Sequence, residues 1–318
     1  MASFGRCALM LCGLCGMSAA LHVSGRRVVL SASGEVVFAA MALSPLVATA
    51  AEMGPRYVDQ VVVDASGREI GKARRLEPDD WALEYQKKEV TEEAFQRDEW
   101  PATAPFTAKN FRRLDESDDS NFYAQPRLVY HIDDLAVAAL THYYKEALGS
   151  ENKKILDVCS SWVSHLPKGT KGAFGVGMNS FELENNLQLD SFVARDLNKN
   201  PTLPYADDTF DVATLVVSID YLTKPIEVLS EIKRVLKKPS GRLIISQSNR
   251  CFYTKAVEIW LSKGDDLDHL DLIGQYLHYA GFDNIRAFDI TAKQRTPFAA
   301  GGNNKKSDPL YIVDASVA

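Results

Sequence analysis

The sequence predicts an α/β fold in which helices cover both faces of a doubly wound, seven-stranded and mainly parallel sheet. From Lys153 onwards, short apolar runs alternate with helix-like segments, which is the pattern of buried parallel strands joined by crossover helices. The last two apolar runs have no helix between them, so we expect them to pair antiparallel. The domain is therefore predicted to close with an antiparallel hairpin at its C-terminal end.

Five apolar runs predict the parallel strands, because charged or turn-forming residues bound each of them. They are KKILDVC, GAFGVGM, SFVARD, FDVATLVVSI and GRLIISQS. Short helical segments lie between them, including Phe181–Asn186 and the strongly amphipathic Pro225–Leu236. A helix over Leu267–Ala280 then leads to the closing pair, FDNIRAFDIT and PLYIVDA.

Residues 51–127 are predicted to form a polar N-terminal extension, followed by the α/β domain over residues 128–318. Tyr57–Val63 alternates like a strand and is expected to pair with Glu69–Ala73 across a Ser-Gly turn. Charged residues over Pro78–Arg97 predict a helix. The acidic stretch Asp115–Tyr123 is interpreted as a solvated linker, since it lacks the pattern of a calcium loop. Apolar residues at helical spacing in Ile132–Leu148 predict a helix that covers one face of the sheet.

Residues 1–50 have the features of a two-part targeting segment. An apolar run after Arg6 is too short to span a bilayer, and Arg26-Arg27 precede a second apolar stretch that ends in Ala48-Thr49-Ala50. This arrangement resembles plastid targeting, and the second part resembles a twin-arginine signal to the thylakoid lumen. The alternative is a membrane anchor over residues 28–50, which the carboxylate of Glu35 disfavours. We therefore expect a plastid protein whose mature chain has no stable membrane span.

Charge and cysteine usage exclude several classes of protein. The chain has 36 Lys and Arg against 42 Asp and Glu, a net charge of −6, so it lacks the basic surface that nucleic-acid binding requires. Removal of residues 1–50 leaves only Cys159 and Cys251, too few and too far apart for a disulfide framework or a structural zinc site. No metal site is predicted.

Three segments carry a resemblance to a known family. ILDVCSSW, ARDLNKNPTLPYADDTFDVATLVVSIDYL and PIEVLSEIKRVLKKPSGRLIIS resemble the motifs of class I S-adenosylmethionine-dependent methyltransferases of the type 11 methyltransferase-domain group. ILDVCSSWVSHLP and SNRCFYTKAVEIW also resemble a plastid and cyanobacterial subgroup. The resemblance covers roughly residues 129–315. It implies a Rossmann-like fold, S-adenosyl-L-methionine as cofactor and a small-molecule methyl acceptor as partner.

The resemblance also implies a set of cofactor-binding residues, carried over position by position: Asp157, Ser160, Ser161, Met178, Asp196, Leu197 and Ser218. Two departures from the family pattern accompany them. Cys159, Ser161 and Val163 occupy the positions of the usual loop glycines, and Gly177 occupies that of the acid that binds the ribose. Asn179 and Glu182 are the candidate replacements for this acid.

Two functions stay open at this point. The first is an active small-molecule methyltransferase of the plastid, and the second is a non-catalytic binding or assembly module that kept the fold. No residue is identified as catalytic. Arg250 and Lys255 either meet an anionic substrate or form a positive surface loop. His165 is expected in a surface loop, and Tyr130-His131 either precede the helix passively or close over the cofactor.

Overall fold

In the computed structural model, the described residues are 21–23, 26–28, 55–78, 83, 86–95, 100–294 and 305–318. The chain divides into two compact units, residues 1–49 and residues 50–318. In the first unit, β1 (Leu21–Val23) pairs antiparallel with β2 (Arg26–Val28); the rest of the predicted targeting segment lies outside the described residues. No helix in the described part of the chain is long and apolar enough to cross a membrane.

The second unit combines helices with a central sheet and two separate two-stranded antiparallel sheets. Its α-helices are α1 Thr91–Ala94, α2 Asp119–Phe122, α3 Asp134–Leu148, α4 Ser180–Glu184, α5 Pro225–Val235, α6 Glu258–Leu261 and α7 Asp266–Tyr279. Its strands are β3 Tyr57–Val63, β4 Glu69–Leu76, β5 Lys88–Glu89, β6 Ile155–Val158, β7 Ala173–Gly177, β8 Ser191–Ala194, β9 Val212–Val216, β10 Arg242–Ser248, β11 Asp283–Asp289, β12 Lys293–Gln294, β13 Lys305–Lys306 and β14 Leu310–Ser316.

The central sheet has the strand order β5-β11-β14-β10-β9-β6-β7-β8. Strands β10, β9, β6, β7 and β8 are parallel to their neighbours in this series, whereas β14 runs antiparallel to both β10 and β11. The predicted α/β class, the doubly wound sheet and the closing antiparallel pair are therefore confirmed. The sheet has one strand more than predicted, because β5 from the N-terminal extension pairs with β11 at the edge.

The direction of chain progression reverses at β6. From β6 the chain proceeds outwards through β7 to β8, and then returns to build β9 and β10 on the other side. A crevice opens at the carboxyl ends of the strands wherever this order reverses, and ligands of open α/β sheets bind in such crevices. The topology therefore predicts a site between the ends of β6 and β9.

Two apolar cores lie on the two faces of the sheet. On one face α5 buries Val228, Leu229 and Ile232 together with residues of α7. On the other face α3, whose N-terminus is capped by Asp133, packs with Ile155 and Ile244. Helix α5 begins with Pro225 at a position where a proline needs no hydrogen-bond donor. The sheet is thus covered on both sides, as buried parallel strands require.

The predicted hairpin of the extension is present, with β3 and β4 paired from Tyr57 to Leu76. It is fastened to α4 by Asn185, whose amide exchanges hydrogen bonds with Val63 N (3.0 Å) and Val63 O (3.1 Å). The predicted helix over Pro78–Arg97 is wrong in its described residues, which contain strand β5 and the four-residue helix α1. The reason is tertiary: Glu89 pairs with Phe288 in the sheet and binds Arg286, which overrides the helical propensity.

Candidate functional site

A cavity of about 720 Å³ opens at the carboxyl ends of the parallel strands. Its lining includes every residue that the sequence singled out for the cofactor: Asp157, Ser160, Ser161, Met178, Asp196, Leu197 and Ser218. These residues come from the ends of β6, β7, β8 and β9, so the strand-order reversal brings them together. The assignment of each one to a ligand stays a prediction.

Asp157 lies one residue before the end of β6 and is buried beneath the loop that follows. One carboxylate oxygen accepts the hydroxyl of Ser160 (2.5 Å) and the other accepts the hydroxyl of Thr214 in β9 (2.9 Å). Burial raises the pKa of Asp157 to about 6, while these hydroxyl hydrogen bonds oppose the rise. Asp157 therefore fastens the loop to β9 from below.

The loop after Asp157 lies directly on Gly177. Ser160 N donates to Val176 O (2.8 Å), and Cys159 adopts a left-handed conformation with φ 56°, in the place of a family glycine. A Cβ built on Gly177 would lie 2.1 Å from the carbonyl oxygen of Ser160. The missing glycines and the missing acid are thus one coupled change, because the loop backbone fills the space in which an acidic side chain would begin.

The two candidate replacements for the ribose acid are engaged elsewhere. Glu182 accepts the Ser161 hydroxyl at one oxygen (2.8 Å) and the main-chain N–H of Arg127 at the other (2.7 Å). Asn179 caps α4 through Glu182 N (3.1 Å) and donates to Tyr123 O (2.7 Å). The hydroxyl protons of Ser160 and Ser161 therefore both point at carboxylates of the protein itself.

Asp196 follows β8, and contacts within the protein use only part of the hydrogen-bonding capacity of its carboxylate. Its Oδ1 accepts the main-chain N–H groups of Asn198 (2.9 Å) and Lys199 (3.2 Å), which fixes the turn. Its Oδ2 lies 3.8 Å from Lys199 Nζ, and the carboxylate side chain keeps 14% of its surface exposed. Asp196 can therefore still accept a hydrogen bond from a ligand in the cavity.

The end of β9 is strained where it meets the cavity. Val217 has φ 38°, a region that β-branched residues rarely adopt. The next residue, Ser218, donates its hydroxyl to Val216 O (2.7 Å) and lines the cavity. Backbone strain of this kind is concentrated at ligand sites.

Residues 119–131, which end the extension and begin the α/β domain, close the cavity from above; we call this segment the strap. Tyr123, Arg127 and His131 of the strap line the cavity. Besides the bonds to Asn179 and Glu182, the indole N–H of Trp162 donates to Val129 O (3.0 Å). Tyr130 packs against Trp162, with ring centroids 5.2 Å apart. Of the two interpretations of Tyr130-His131, the placement over the cavity is the one that this geometry favours.

The acidic stretch Asp115–Tyr123, which leads into the strap, is only partly solvated, because Asp115 and Asp119 bind a buried lysine while Glu116 and Asp118 are exposed. Lys255 is fully buried, with Nζ 3.1 Å from a carboxylate oxygen of Asp115 and 3.2 Å from one of Asp119. Arg113 donates to both carboxylate oxygens of Asp119 at 2.8 Å. Lys255 is therefore neither a surface cation nor a ligand for a substrate, because these acids neutralise it. Arg250 lines the cavity but forms an ion pair with Asp308 (2.5 Å).

Two further buried titratable groups border the site. His165 was expected at the surface but is 9% exposed, and burial lowers its pKa to about 4. Sequence reasoning missed Asp220, which is 3% exposed and whose Oδ2 has no hydrogen-bond partner among the described residues. Burial raises the pKa of Asp220 to about 8. The only sequence signal was a carboxylate inside an otherwise apolar run, VVSIDYL.

Part of the chain is similar in sequence to known methyltransferases. Residues 179–245 match the family model described as a methyltransferase domain. A methyltransferase of Streptomyces halstedii, GfsG, is 30% identical over 184 residues, which cover 52% of this chain and 66% of that protein. The chain thus spans slightly less than two thirds of this relative's length. A solved structure of a SAM-dependent methyltransferase of Thermotoga maritima, described as a possible histamine N-methyltransferase, is 17% identical to this chain. The two superpose with a TM-score of 0.40, over 57% of this chain and 90% of the Thermotoga chain.

Proposed function

We propose that the chain, whose residues 179–245 match a methyltransferase domain, is a class I S-adenosylmethionine-dependent methyltransferase that methylates a small molecule held in the cavity beneath the strap. The observation that carries this proposal is the convergence of the seven predicted residues on one cavity at the strand-order reversal. The volume of about 720 Å³ suits a small-molecule site.

The residues present fit S-adenosyl-L-methionine, with one difference from the family pattern. Asp196 keeps a carboxylate oxygen available for the adenine amine, and Leu197 and Met178 offer apolar surface to the adenine ring. At the ribose, this chain offers the backbone around Gly177 and Met178 in place of a carboxylate, because Ser160 O occupies that space. When bound, the cofactor supplies an electrophilic methyl group on a sulfonium.

The chain itself contributes position and exclusion of water. The strap covers the cavity. The hydrogen bonds that hold it there include those donated by Asn179 and Trp162 and the one accepted by Glu182. The hydrogen bond between Thr214 and Asp157 holds the loop after β6 in a fixed position over β9. Methyl transfer depends mainly on holding the nucleophile in line with the methyl group, so this rigid enclosure is the catalytic contribution that we propose.

Titration calorimetry with S-adenosylhomocysteine tests the cofactor site directly. We expect Asp196→Ala to weaken binding by about 1–3 kcal/mol, the cost of losing a hydrogen bond to a charged group. Asp207→Ala is the matched control, since Asp207 is exposed and pairs with Arg234 away from the cavity. No binding to the unmodified chain at millimolar ligand would sink the proposal, and equal affinities of the two variants would show that Asp196 is not a ligand.

A second candidate is a module that binds the cofactor or acceptor without turnover. The observation that favours it is the engagement of both serine hydroxyls, Ser160 with Asp157 and Ser161 with Glu182. It predicts measurable S-adenosylhomocysteine binding together with no methyl transfer to any acceptor that the cavity retains. Methyl transfer to such an acceptor would reject this candidate.

We also propose that the protein acts in the plastid, on the evidence of the sequence of residues 1–50 alone. Two-step removal of this segment predicts a mature chain that begins near Ala51. Sequencing of the mature N-terminus after import into isolated plastids tests this, and a chain retaining residues 28–50 would favour the membrane anchor instead.

A further inference from the structure

Arg127 of the strap presents a restrained positive charge to the cavity. Its main-chain N–H is held by Glu182 at 2.7 Å. Its guanidinium carbon lies 4.5 Å from the ring centroid of Phe122 and 5.5 Å from that of Phe252. Two aromatic faces therefore fix the side chain, which loses little further freedom when it binds a ligand.

No carboxylate in the described part of the chain forms an ion pair with this guanidinium. The acids nearby already have partners: Glu182 holds Ser161 and the strap backbone, Asp119 holds Arg113 and Lys255, and Asp308 holds Arg250. His131, the other basic group of the strap in the cavity lining, has its pKa lowered by burial and is therefore neutral near pH 7. Arg127 thus presents the cavity with a cation that no carboxylate of the described residues neutralises.

Aromatic side chains surround the space next to Arg127. The ring of Phe252 lies 5.5 Å from His131 and 5.9 Å from Tyr221, and Tyr123 lies 5.0 Å from Phe122. Tyr123, Tyr221 and Phe252 all line the cavity. Aromatic walls favour flat, apolar ligands, whereas the planar fork of an arginine matches a carboxylate.

We propose that the methyl acceptor is an aromatic carboxylate, whose carboxylate binds Arg127 and whose ring packs against the aromatic residues around Phe252. This inference rests on the proposed function, because it identifies the class of acceptor for the same cavity. It gives the strap a second role beyond closing the cavity, namely selection of the acceptor.

The test uses the full chain saturated with S-adenosylhomocysteine and a panel of benzoate, 4-hydroxybenzoate and 4-hydroxycinnamate, each compared with its neutral amide. We expect at least one acid to bind at least tenfold more tightly than its amide. Arg127→Gln removes this preference, and Arg127→Lys retains part of it because the charge stays. Arg68→Gln is the matched control, since Arg68 is exposed and pairs with Asp64 outside the cavity lining, and changes the preference less than twofold.

The carboxylate of the cofactor is the other carboxylate that fits Arg127. The affinity for S-adenosylhomocysteine distinguishes this case from binding of an acceptor carboxylate. We expect this affinity to change less than twofold in Arg127→Gln. A tenfold loss of the affinity for S-adenosylhomocysteine, with the acid preference intact, would assign Arg127 to the cofactor and overturn the inference. Equal binding of all acids and amides would overturn it as well. Acid binding that depends on Arg127 in a chain that does not bind S-adenosylhomocysteine would sink the proposed function and leave the carboxylate site standing.

Discussion

The contact between the loop after β6 and the sheet can be tested by substitution of Gly177. A Cβ at this residue would lie 2.1 Å from Ser160 O and 3.0 Å from the carbonyl carbon. Unstrained contacts between carbon and carbonyl oxygen are about 3.3 Å or longer. Gly177→Ala therefore forces the loop to move by about 1 Å, although Ser160 is held by Val176 and Asp157.

The cost follows from these contacts. Overpacking of a buried site costs about 1–3 kcal/mol, and the weakening of one or two hydrogen bonds adds about 1 kcal/mol each. We expect Gly177→Ala to lower the free energy of unfolding by about 2–5 kcal/mol, measured by urea denaturation with circular dichroism. Gly177→Asp, which restores the acid of the family, is expected to be at least as destabilised.

Gly71→Ala is the matched control, since an added Cβ meets nothing within 4 Å there. Its free energy of unfolding should stay within about 0.5 kcal/mol of the unmodified chain. If Gly177→Ala is equally stable, the loop is not pinned against β7, and the explanation for the missing ribose acid is wrong.

Two further predictions concern buried charges. Lys255→Met removes a buried cation that binds Asp115 and Asp119, and because Arg113 still pairs with Asp119 it should cost about 1–3 kcal/mol of unfolding free energy in urea; the exposed Lys72→Met should cost less than about 1 kcal/mol, and equal losses would refute the buried ion pair. Asp220 stays protonated in the folded state up to its pKa of about 8 but ionises near its ordinary, lower pKa when unfolded, so the folded state binds more protons between these values. Stability should therefore fall as pH rises from about 4 to 8, by up to about 1.4 kcal/mol per pH unit, and Asp220→Asn should remove this slope; parallel pH profiles of the two chains would contradict the assignment.

The elements of the α/β domain could be predicted because each is encoded by neighbouring residues. The β-branched run of β9 and the amphipathic spacing of α5 are local patterns, and the lack of a helix between β11 and β14 determines their antiparallel pairing. The convergence of the carboxyl ends of the strands follows from the topology. For the same reason, all seven predicted cofactor residues line one cavity.

The partners of charged and buried polar residues could not be predicted in this way. Lys255 and Asp115 are 140 residues apart, and nothing in either local sequence identifies the other. The same holds for Glu89, which lies in β5 and pairs with β11 at the edge of the sheet, and for His165, which burial keeps neutral. Segments whose charge alone predicts exposure to solvent therefore form a strand, a buried ion-pair cluster and the strap in the folded chain.

By itself, the sequence determined the α/β domain, its closing antiparallel pair and the absence of an acid at Gly177, since these depend on residue type and local pattern. Only the tertiary structure showed why that acid is absent, because the obstacle is the backbone carbonyl of Ser160 on a neighbouring strand's loop. It likewise placed Arg127 over the cavity, through hydrogen bonds of the strap to α4 and the loop. Contacts between segments distant in sequence are the physical reason for both.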